Sequence, residues 1–267
     1  MRAKRNGTQH QTALVTGGSG GIGLEIAKVL ARNGFDLVLV ARKRDTLEAA
    51  AGQIEGKFDV RVQVFAADLR RSDAPQAIFD FLHNENIPIE VLVNNAGFGM
   101  GGEFADTKLQ RELEMIQVNI AALTHLTKLF LPAMIKRKSG RVLNVASTAA
   151  FQPGPLMAVY YATKAYVLSF SEALAEELRH SGVTVTALCP GPTRTHFAAS
   201  AQMTRSRLYT AFGMADAADV AEYAYTAMMH GRRVAIPGIK NKILAQANRF
   251  TPRMVTAKVG RMARESR

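Results

Sequence analysis

Short runs of consecutive apolar residues recur along the chain, and each is followed by a longer stretch with helical periodicity. Leu37-Val38-Leu39-Val40 and Val91-Leu92-Val93 are apolar at every position. A strand of this kind has to be covered on both faces, which is typical of a parallel sheet. Repeated alternation of such strands with helices predicts a doubly wound α/β fold with a seven-stranded, mostly parallel sheet.

The apolar patterns also predict the individual elements and one domain. We predict strands at residues 12–16, 36–41, 60–66, 90–94, 140–146, 183–189 and 233–236. We predict helices at residues 21–33, 45–55, 73–84, 107–136, 159–180 and 217–230. The 267 residues are 48% hydrophobic, enough for one large core. We expect a basic disordered arm at 1–12, a catalytic domain at 13–237 and a basic tail at 238–267, for which a helix is one reading.

The two ends of the chain supply its formal net charge of +12. Residues 1–12 carry three basic residues and no acid, for +3, and residues 232–267 carry ten basic residues and one acid, for +9. Residues 13–231 hold 21 charges of each sign. A neutral globule with basic ends argues against a nucleic-acid partner. Peripheral membrane contact through a basic amphipathic tail is the less favoured reading of residues 248–267, behind a solvated or subunit-packing tail.

Cysteine and metal-ligand patterns exclude several classes of protein. Cys189 is the one cysteine, so an intramolecular disulfide and a cysteine-based zinc site are excluded. We expect a reducing, cytoplasmic setting. The His, Asp and Glu residues show no metal-ligand spacing, so we predict no metal. We also expect no secretory signal and no apolar run near the roughly 18 residues that span a bilayer.

A glycine-rich stretch follows the first predicted strand and opens a predicted helix. Such a loop lets the backbone approach a pyrophosphate, which the N-terminus of the helix attracts. An ordinary glycine-rich turn is the alternative. The residues of this candidate nucleotide loop are Thr16, Gly17, Ser19, Gly21, Ile22 and Gly23.

The end of the second predicted strand indicates which nucleotide binds. An NAD site usually has an acidic residue there, which holds the ribose hydroxyls. In this chain Ala41 is followed by Arg42, Lys43 and Arg44. Cations attract a 2′-phosphate, so we predict NADP(H) in preference to NAD(H), with Arg42 as the phosphate ligand. An ordinary basic loop is the alternative.

Tyr160 and Lys164 lie four residues apart in the predicted helix 159–180, so they share one face of it. A neighbouring ammonium group favours the phenolate form of a tyrosine, which would suit Tyr160 to proton transfer near neutral pH. Tyr161 lies three residues from Lys164, and helix geometry prefers Tyr160 only slightly. A packed tyrosine beside a solvated lysine is the alternative.

In order and spacing, these motifs resemble those of the short-chain dehydrogenase/reductase family. The resemblance covers about residues 13–237 and implies a Rossmann-type domain. It rests on Thr16-Gly17-x-x-x-Gly21-Ile22-Gly23, Asn94-Asn95-Ala96-Gly97, Asn119, Ser147, Tyr160-x-x-x-Lys164 and Pro190-Gly191.

The resemblance implies a role for each catalytic residue. Tyr160 would exchange a proton with the substrate oxygen, and Ser147 would hydrogen-bond that oxygen. Lys164 would lower the pKa of the tyrosine and hold the nicotinamide ribose. Asn119 would help a water relay reach Lys164. The spacing within the family selects Tyr160 over Tyr161.

The resemblance implies further contacts with the cofactor. Asp68, in Ala67-Asp68-Leu69, would hold the adenine edge. The Thr193 backbone and the Thr195 hydroxyl, which follow Pro190-Gly191, would meet the nicotinamide amide. The residues expected to line the adenosine side are Asn94, Ala96 and Gly97.

These expectations describe an oxidoreductase that moves a hydride between NADP(H) and a small carbonyl or alcohol substrate. Residues 196–213 would form a largely apolar substrate loop, which favours a hydrophobic ketone, an aldehyde or an acyl-chain carbonyl. The family resemblance implies a homodimer or homotetramer. A non-catalytic regulator that binds the dinucleotide is the main alternative, and an adaptor that uses the basic ends is a third.

Overall fold

The computed structural model describes residues 11–195 and 213–262. Residues 1–10 of the predicted arm, most of the predicted substrate loop and the last five residues lie outside these ranges. The sheet has seven strands in the order β3-β2-β1-β4-β5-β6-β7, and every neighbouring pair is parallel. The strands are β1 (Thr12–Thr16), β2 (Asp36–Ala41), β3 (Val62–Ala66), β4 (Ile89–Asn94), β5 (Gly140–Val145), β6 (Val183–Leu188) and β7 (Val234–Ala235).

Helices cover both faces of this sheet, as the apolar strands require. The helices are α1 (Gly21–Arg32), α2 (Arg44–Glu55), α3 (Ala74–Asn84), α4 (Leu109–Ile116), α5 (Leu123–Lys136), α6 (Ala158–Glu177), α7 (Ala217–Met229), α8 (Ile239–Phe250) and α9 (Arg253–Met262).

Each face of the sheet has its own core. On one face, Ile26, Leu47 and Val220 bring α1, α2 and α7 against the strands. On the other, Ile78 and Leu126 bring α3 and α5 there. The predicted seven-stranded doubly wound fold is therefore confirmed.

The predicted helix 107–136 has an internal change of geometry. A π-helical turn, Gln117–Ala122, joins α4 to α5 and contains Asn119. π-Helical turns inside α-helices are frequent at functional sites. By length and composition alone, the segment Leu109–Lys136 could also cross a membrane. That differs from the sequence expectation, but the same apolar residues form core contacts, among them Phe130 and Met134.

Candidate active site

The chain order of the strands reverses between β1 and β4, and the carboxyl ends of these strands meet at one edge of the sheet. In open α/β sheets, ligands bind in the crevice at such a switch point. The Thr16 hydroxyl donates to the Val93 carbonyl at 3.2 Å and accepts from the backbone N–H groups of Asn95, at 3.0 Å, and Ala96, at 3.1 Å. Thr16 therefore joins the loops that follow the two strands.

Asn95 fixes the shape of the glycine loop, a role that the sequence reasoning missed. Its Nδ2 donates to the carbonyls of Thr16 at 2.9 Å and Gly17 at 3.3 Å. Asn95 stands inside the motif Asn94-Asn95-Ala96-Gly97, so the motif carried a signal for it.

The glycine loop is built so closely that side chains are excluded at two positions. Gly17 has φ +66°, and a Cβ there would lie 2.7 Å from Nδ2 of Asn95. A Cβ on Gly23 would lie 2.3 Å from the Gly17 carbonyl oxygen. At Gly20, by contrast, a Cβ would have open space.

Helix α1 begins at Gly21, so its first N–H groups face the crevice beside Ser19 and Ile22. Gly21 has φ +56°, and its Cβ position lies 3.2 Å from Cγ2 of Thr195. This cradle of free backbone N–H groups, with glycines where a Cβ would intrude, fits a dinucleotide pyrophosphate.

The end of β2 is basic, as expected. Arg42 and Lys43 are exposed, and neither side chain has a hydrogen bond or ion pair among residues 11–195 and 213–262. Arg44 pairs with Glu48 at 3.4 Å. The acid in this strand, Asp36, stands at its opposite end and pairs with Arg61. Arg42 and Lys43 are therefore two exposed cations at the end of β2, and Arg42 is close enough to Asp68 for its charge to act on that carboxylate.

Asp68 lies after β3, and its carboxylate has a partner that the sequence analysis did not identify. Arg70 Nε donates to Asp68 Oδ2 at 2.9 Å, and the Arg70 backbone N–H donates to Oδ1 at 3.1 Å. The Arg70 hydrogen bond, with a smaller contribution from the charge of Arg42, holds the pKa of Asp68 below its usual range. Leu69 is buried in the core.

The side chain of Asn94 lies in the protein interior, so the part of Asn94 left to line the adenosine side is its backbone. Its Nδ2 donates to Thr127 Oγ1 at 3.0 Å and to Asn144 Oδ1 at 2.9 Å. Asn144 in turn donates to Ser171. This buried network links β4, β5, α5 and α6. Ala96 does lie at the crevice, because its Cα is 3.1 Å from the Cβ position of Gly17.

Ser147 stands where the loops after β5 and β6 meet. Its Oγ accepts from the Ala149 N–H at 3.0 Å, which caps the short 3₁₀ turn Thr148–Phe151. The same hydroxyl lies 3.5 Å from the Pro190 carbonyl, which also accepts from the Thr148 N–H at 2.9 Å. These contacts hold Ser147 at the carboxyl edge of the sheet.

Lys164 and Tyr160 lie on the buried face of α6, toward that same edge. Lys164 is 6% exposed, and its Nζ donates to the Val145 carbonyl at 2.7 Å. Nζ is 5.9 Å from the centre of the Tyr160 ring. Burial lowers the pKa of Lys164 to about 8. The lysine is therefore still largely protonated near neutral pH.

Asn119 connects this pair to the loop after β4. Its Oδ1 accepts from the Phe98 N–H at 3.1 Å, and its Nδ2 donates to the Phe98 carbonyl at 3.0 Å and to Thr163 Oγ1 at 3.0 Å. The Cβ position of Gly97 lies 3.0 Å from Asn119 Oδ1 and 3.5 Å from Lys164 Nζ. Asn119, Gly97 and Lys164 therefore meet at one point.

The structure gives Tyr160 and Tyr161 different surroundings. Both rings are buried, and their centres lie 5.9 Å apart. Gly154 packs directly on the Tyr161 ring, because a Cβ at Gly154 would lie 2.2 Å from a ring carbon. Tyr161 therefore supports the segment that follows the 3₁₀ turn, while Tyr160 shares a face with Lys164.

The segment after Pro190 closes the crevice from the other side. Thr193 forms a parallel bridge with Ala215. A cleft of about 470 Å³ lies where this segment meets the start of α1. It is lined by Gly21, Glu25, Arg194, Thr195, Asp216 and Ala217.

The C-terminal helices contact the site, although the family motifs cover only about residues 13–237. Asn241 of α8 fills the space beside Gly191, where a Cβ would lie 2.6 Å from the Asn241 Nδ2. Ala245 packs in one cluster with Phe151. The periodicity of the tail indicated a helix but did not indicate where it packs.

A family model and several known proteins match this chain. A family model described as "short chain dehydrogenase" matches residues 11–206. A very-long-chain 3-oxoacyl-CoA reductase of Rattus norvegicus is 36% identical over 184 residues, which are 67% of this chain and 58% of that protein. The corresponding reductase of Coprinopsis cinerea is 37% identical over 65% of this chain and 52% of its own length. The chain thus matches only about half to three fifths of these relatives.

Solved structures match over most of both chains. A short-chain dehydrogenase from Sphingobium yanoikuyae in complex with NADPH superimposes with a TM-score of 0.81 at 32% identity, over 90% of this chain and 94% of that one. An actinorhodin polyketide ketoreductase variant with NADPH gives 0.76 at 29% identity, over 85% and 95%. Family model, relatives and fold agree, and the chain belongs to the short-chain dehydrogenase/reductase family of oxidoreductases.

Proposed function

We propose that the protein transfers a hydride between NADP(H) and a carbonyl or alcohol substrate, with Tyr160 as general acid and base. The observation that carries this proposal is the placement of Lys164. Its ammonium group is buried, bonded to the Val145 carbonyl and 5.9 Å from the Tyr160 ring. Keeping a cation in such surroundings costs free energy, and this cost is understandable where the charge serves a reaction.

The proposed chemistry divides between the dinucleotide and the protein. When bound, the nicotinamide supplies or accepts the hydride. In the reductive direction the Tyr160 hydroxyl donates its proton to the substrate oxygen, and the Ser147 hydroxyl donates a hydrogen bond to the same oxygen. Two donors stabilise the negative charge that develops there. The Lys164 ammonium group favours the phenolate that remains, and the reverse direction starts from that phenolate.

Preference for NADP(H) is part of the proposal. Arg42 is exposed at the end of β2, where no acid stands to hold the ribose hydroxyls. A guanidinium group binds phosphate through charge-assisted hydrogen bonds, and a 2′-phosphate distinguishes the two dinucleotides. The Sphingobium and actinorhodin enzymes that resemble this chain were solved with NADPH, which supports the same choice.

The surroundings of Tyr160 support an apolar substrate. Phe98, Met100 and Met157 pack in one cluster with Tyr160. A wall of this kind excludes water and favours a hydrophobic ketone, an aldehyde or an acyl-chain carbonyl. The 3-oxoacyl-CoA reductases among the relatives also support an acyl-chain carbonyl.

A homodimer or homotetramer in the cytoplasm completes the proposal. Leu109, Leu113 and Ile116 form an exposed apolar stripe on α4, and Tyr166 is partly exposed on α6. Such stripes favour subunit contacts. The fully buried Cys189, the sole cysteine, fits a reducing compartment.

A carbonyl and alcohol library assayed with NADPH and NADP⁺, and in parallel with NADH and NAD⁺, tests the proposal. We expect turnover with apolar carbonyls and faster turnover with NADPH than with NADH. Tight NADPH binding without turnover across the whole library would favour the non-catalytic regulator instead.

A further inference from the structure

The C-terminal helices carry a row of exposed apolar side chains that the proposed reaction leaves without a role. Ile239 is 76% exposed, Ile243 63% and Phe250 88%. They stand at positions i, i+4 and i+11 of α8, so they share one side of the helix. Ala245 is buried and lies on the opposite side. The row therefore faces away from the protein, and an apolar groove of about 410 Å³ runs along Ile243, Ala247 and Phe250.

The two helices that carry this row contain basic residues and no acidic residue. Residues 238–262 contain six basic residues and no acidic residue. At 100° per residue, Lys240 and Lys242 fall on the two flanks of the row. Helix α9 repeats the arrangement, because Met254 and Lys258 are exposed while Thr256 and Gly260 are buried. Both helices thus present apolar side chains together with positive charge.

We propose that α8 and α9 dock on an anionic phospholipid surface. An amphipathic helix with apolar side chains on one side and lysines at the border lies in the interfacial plane of a bilayer. The apolar row would enter the boundary between headgroups and acyl chains, and Lys240 and Lys258 would meet the phosphates, whereas the Lys242 ammonium group lies 5.7 Å from the centre of the Tyr223 ring. Each cation near an anionic leaflet adds attraction, and the chain has no acid in these helices to oppose it.

The anchoring of the helices to the domain determines which face of the protein meets the bilayer. Arg261 of α9 pairs with Glu103 at 3.0 Å, and the Cβ position of Gly260 lies 3.6 Å from the Pro153 carbonyl. On α8, Asn241 fills the space beside Gly191. Docking therefore brings the loops around Ser147 and Tyr160 next to the membrane. Delivery of an apolar carbonyl substrate from the bilayer follows, and that consequence, unlike docking itself, rests on the proposed function.

Flotation of the full-length protein with vesicles tests the docking without any reference to activity. Vesicles of equal parts phosphatidylglycerol and phosphatidylcholine should carry the protein upward, and vesicles of phosphatidylcholine alone should carry much less. Raising the salt from about 0.1 M to about 0.5 M should release much of it, because exposed charges are screened. Failure to float with the anionic vesicles, or equal flotation with both kinds, would overturn the proposal.

A matched pair of double variants locates the surface. Lys240→Glu with Ile243→Asp changes the proposed surface, while Lys136→Glu with Ile135→Asp makes the same two changes at exposed positions of α5, near the opposite edge of the sheet. The first variant should lower the partition coefficient about tenfold or more, since it reverses a charge and buries another. The second should bind as the wild type does, and equal losses in the two variants would contradict the assignment.

Other occupants of the surface give different results in the same experiment. If α8 packs against a second copy of the chain, the first variant changes the oligomeric state in analytical ultracentrifugation, and the wild type does not bind vesicles. If the cations bind nucleic acid, the wild type retards duplex DNA and ignores vesicles. Either pattern would overturn membrane docking. Turnover of a water-soluble carbonyl by the first variant separates a failure of docking from a failure of the proposed reaction.

Discussion

Asn119 satisfies both polar groups of the Phe98 backbone, since its Oδ1 accepts from the N–H at 3.1 Å and its Nδ2 donates to the carbonyl at 3.0 Å. The amide side chain thus pairs with the loop after β4 much as a neighbouring strand would. The π-helical turn that carries Asn119 places it within reach of this loop. Thr163, one residue before Lys164, receives the remaining hydrogen bond at 3.0 Å.

The hydrogen bonds between the Asn119 side chain and the Phe98 backbone form a clamp, and their loss should destabilise the folded protein. Asn119→Ala leaves two backbone groups of a half-buried segment without their partner, so the free energy of unfolding should fall by about 2–4 kcal/mol. Thr163→Val keeps the bonds between Asn119 and Phe98 but removes those of Thr163 with Asn119 and with the Tyr160 carbonyl, so it should cost about 1–2 kcal/mol. Urea denaturation of both variants measures the difference. A cost for Asn119→Ala no larger than that for Thr163→Val would show that the clamp adds little.

The glycine loop offers a pair of substitutions that differ only in space. Gly23→Ala places a Cβ 2.3 Å from the Gly17 carbonyl oxygen, while Gly20→Ala meets open space in an extended conformation. Gly23→Ala should therefore distort the loop and weaken NADPH binding by at least about tenfold. Gly20→Ala should bind within about twofold of the wild type. Fluorescence titration measures the NADPH affinity of both variants. Equal affinities would contradict the proposal that the glycine loop binds the pyrophosphate.

Arg42 tests the proposed phosphate contact. Loss of a charge-assisted hydrogen bond costs about 1.5–3 kcal/mol, so Arg42→Ala should raise KM for NADPH about ten- to a hundredfold and leave KM for NADH nearly unchanged. Arg44→Ala is the control, because Arg44 is paired with Glu48. Steady-state kinetics with both dinucleotides decide the matter. An equal change with NADPH and NADH would remove Arg42 from the phosphate site.

The lowered pKa of Lys164 makes stability depend on pH in a defined direction. The unfolded lysine has a pKa of 10.5 and the folded one about 8. Between these values the unfolded chain binds more protons, so stability rises with pH across that window. In the nucleotide-free protein, the unfolding free energy of the wild type minus that of Lys164→Met should rise by up to about 3 kcal/mol from pH 8 to pH 10.5. A difference that stays flat would contradict the burial of a charged lysine.

The sequence predicted the sheet well where local composition decides the outcome. β1 and β2 begin and end at the predicted residues, because their apolar runs have sharp ends. β7 is shorter than predicted, at Val234–Ala235, where it pairs with Ala187 and Leu188 of β6. The π-helical turn was not predicted, because apolar periodicity does not distinguish it from an α-helix. Its presence depends on what Asn119 contacts in a distant loop.

For the candidate site too, the sequence predicted some features and not others. Motif spacing predicted that Ser147, Tyr160, Lys164 and the glycine loop lie at one edge of the sheet. The partners of these residues, by contrast, come from contacts between distant parts of the chain. Arg70 beside Asp68, Asn95 beside Gly17 and Asn241 beside Gly191 are of this kind. Asn94 shows the converse, because its position in a motif suggested the cofactor while its side chain is bonded inside the core.

The most direct test of Tyr160 as the proton donor compares two adjacent buried tyrosines. Each of Tyr160→Phe and Tyr161→Phe removes one hydroxyl from α6 and keeps the ring. With NADPH and an apolar carbonyl found by the library, Tyr160→Phe should lower kcat by about a hundredfold or more, since general acid catalysis contributes that much. NADPH binding should be retained, and Tyr161→Phe should stay within about threefold of the wild type. A kcat of Tyr160→Phe equal to that of the wild type, or an equal fall of kcat in both variants, would contradict the role of Tyr160 as proton donor.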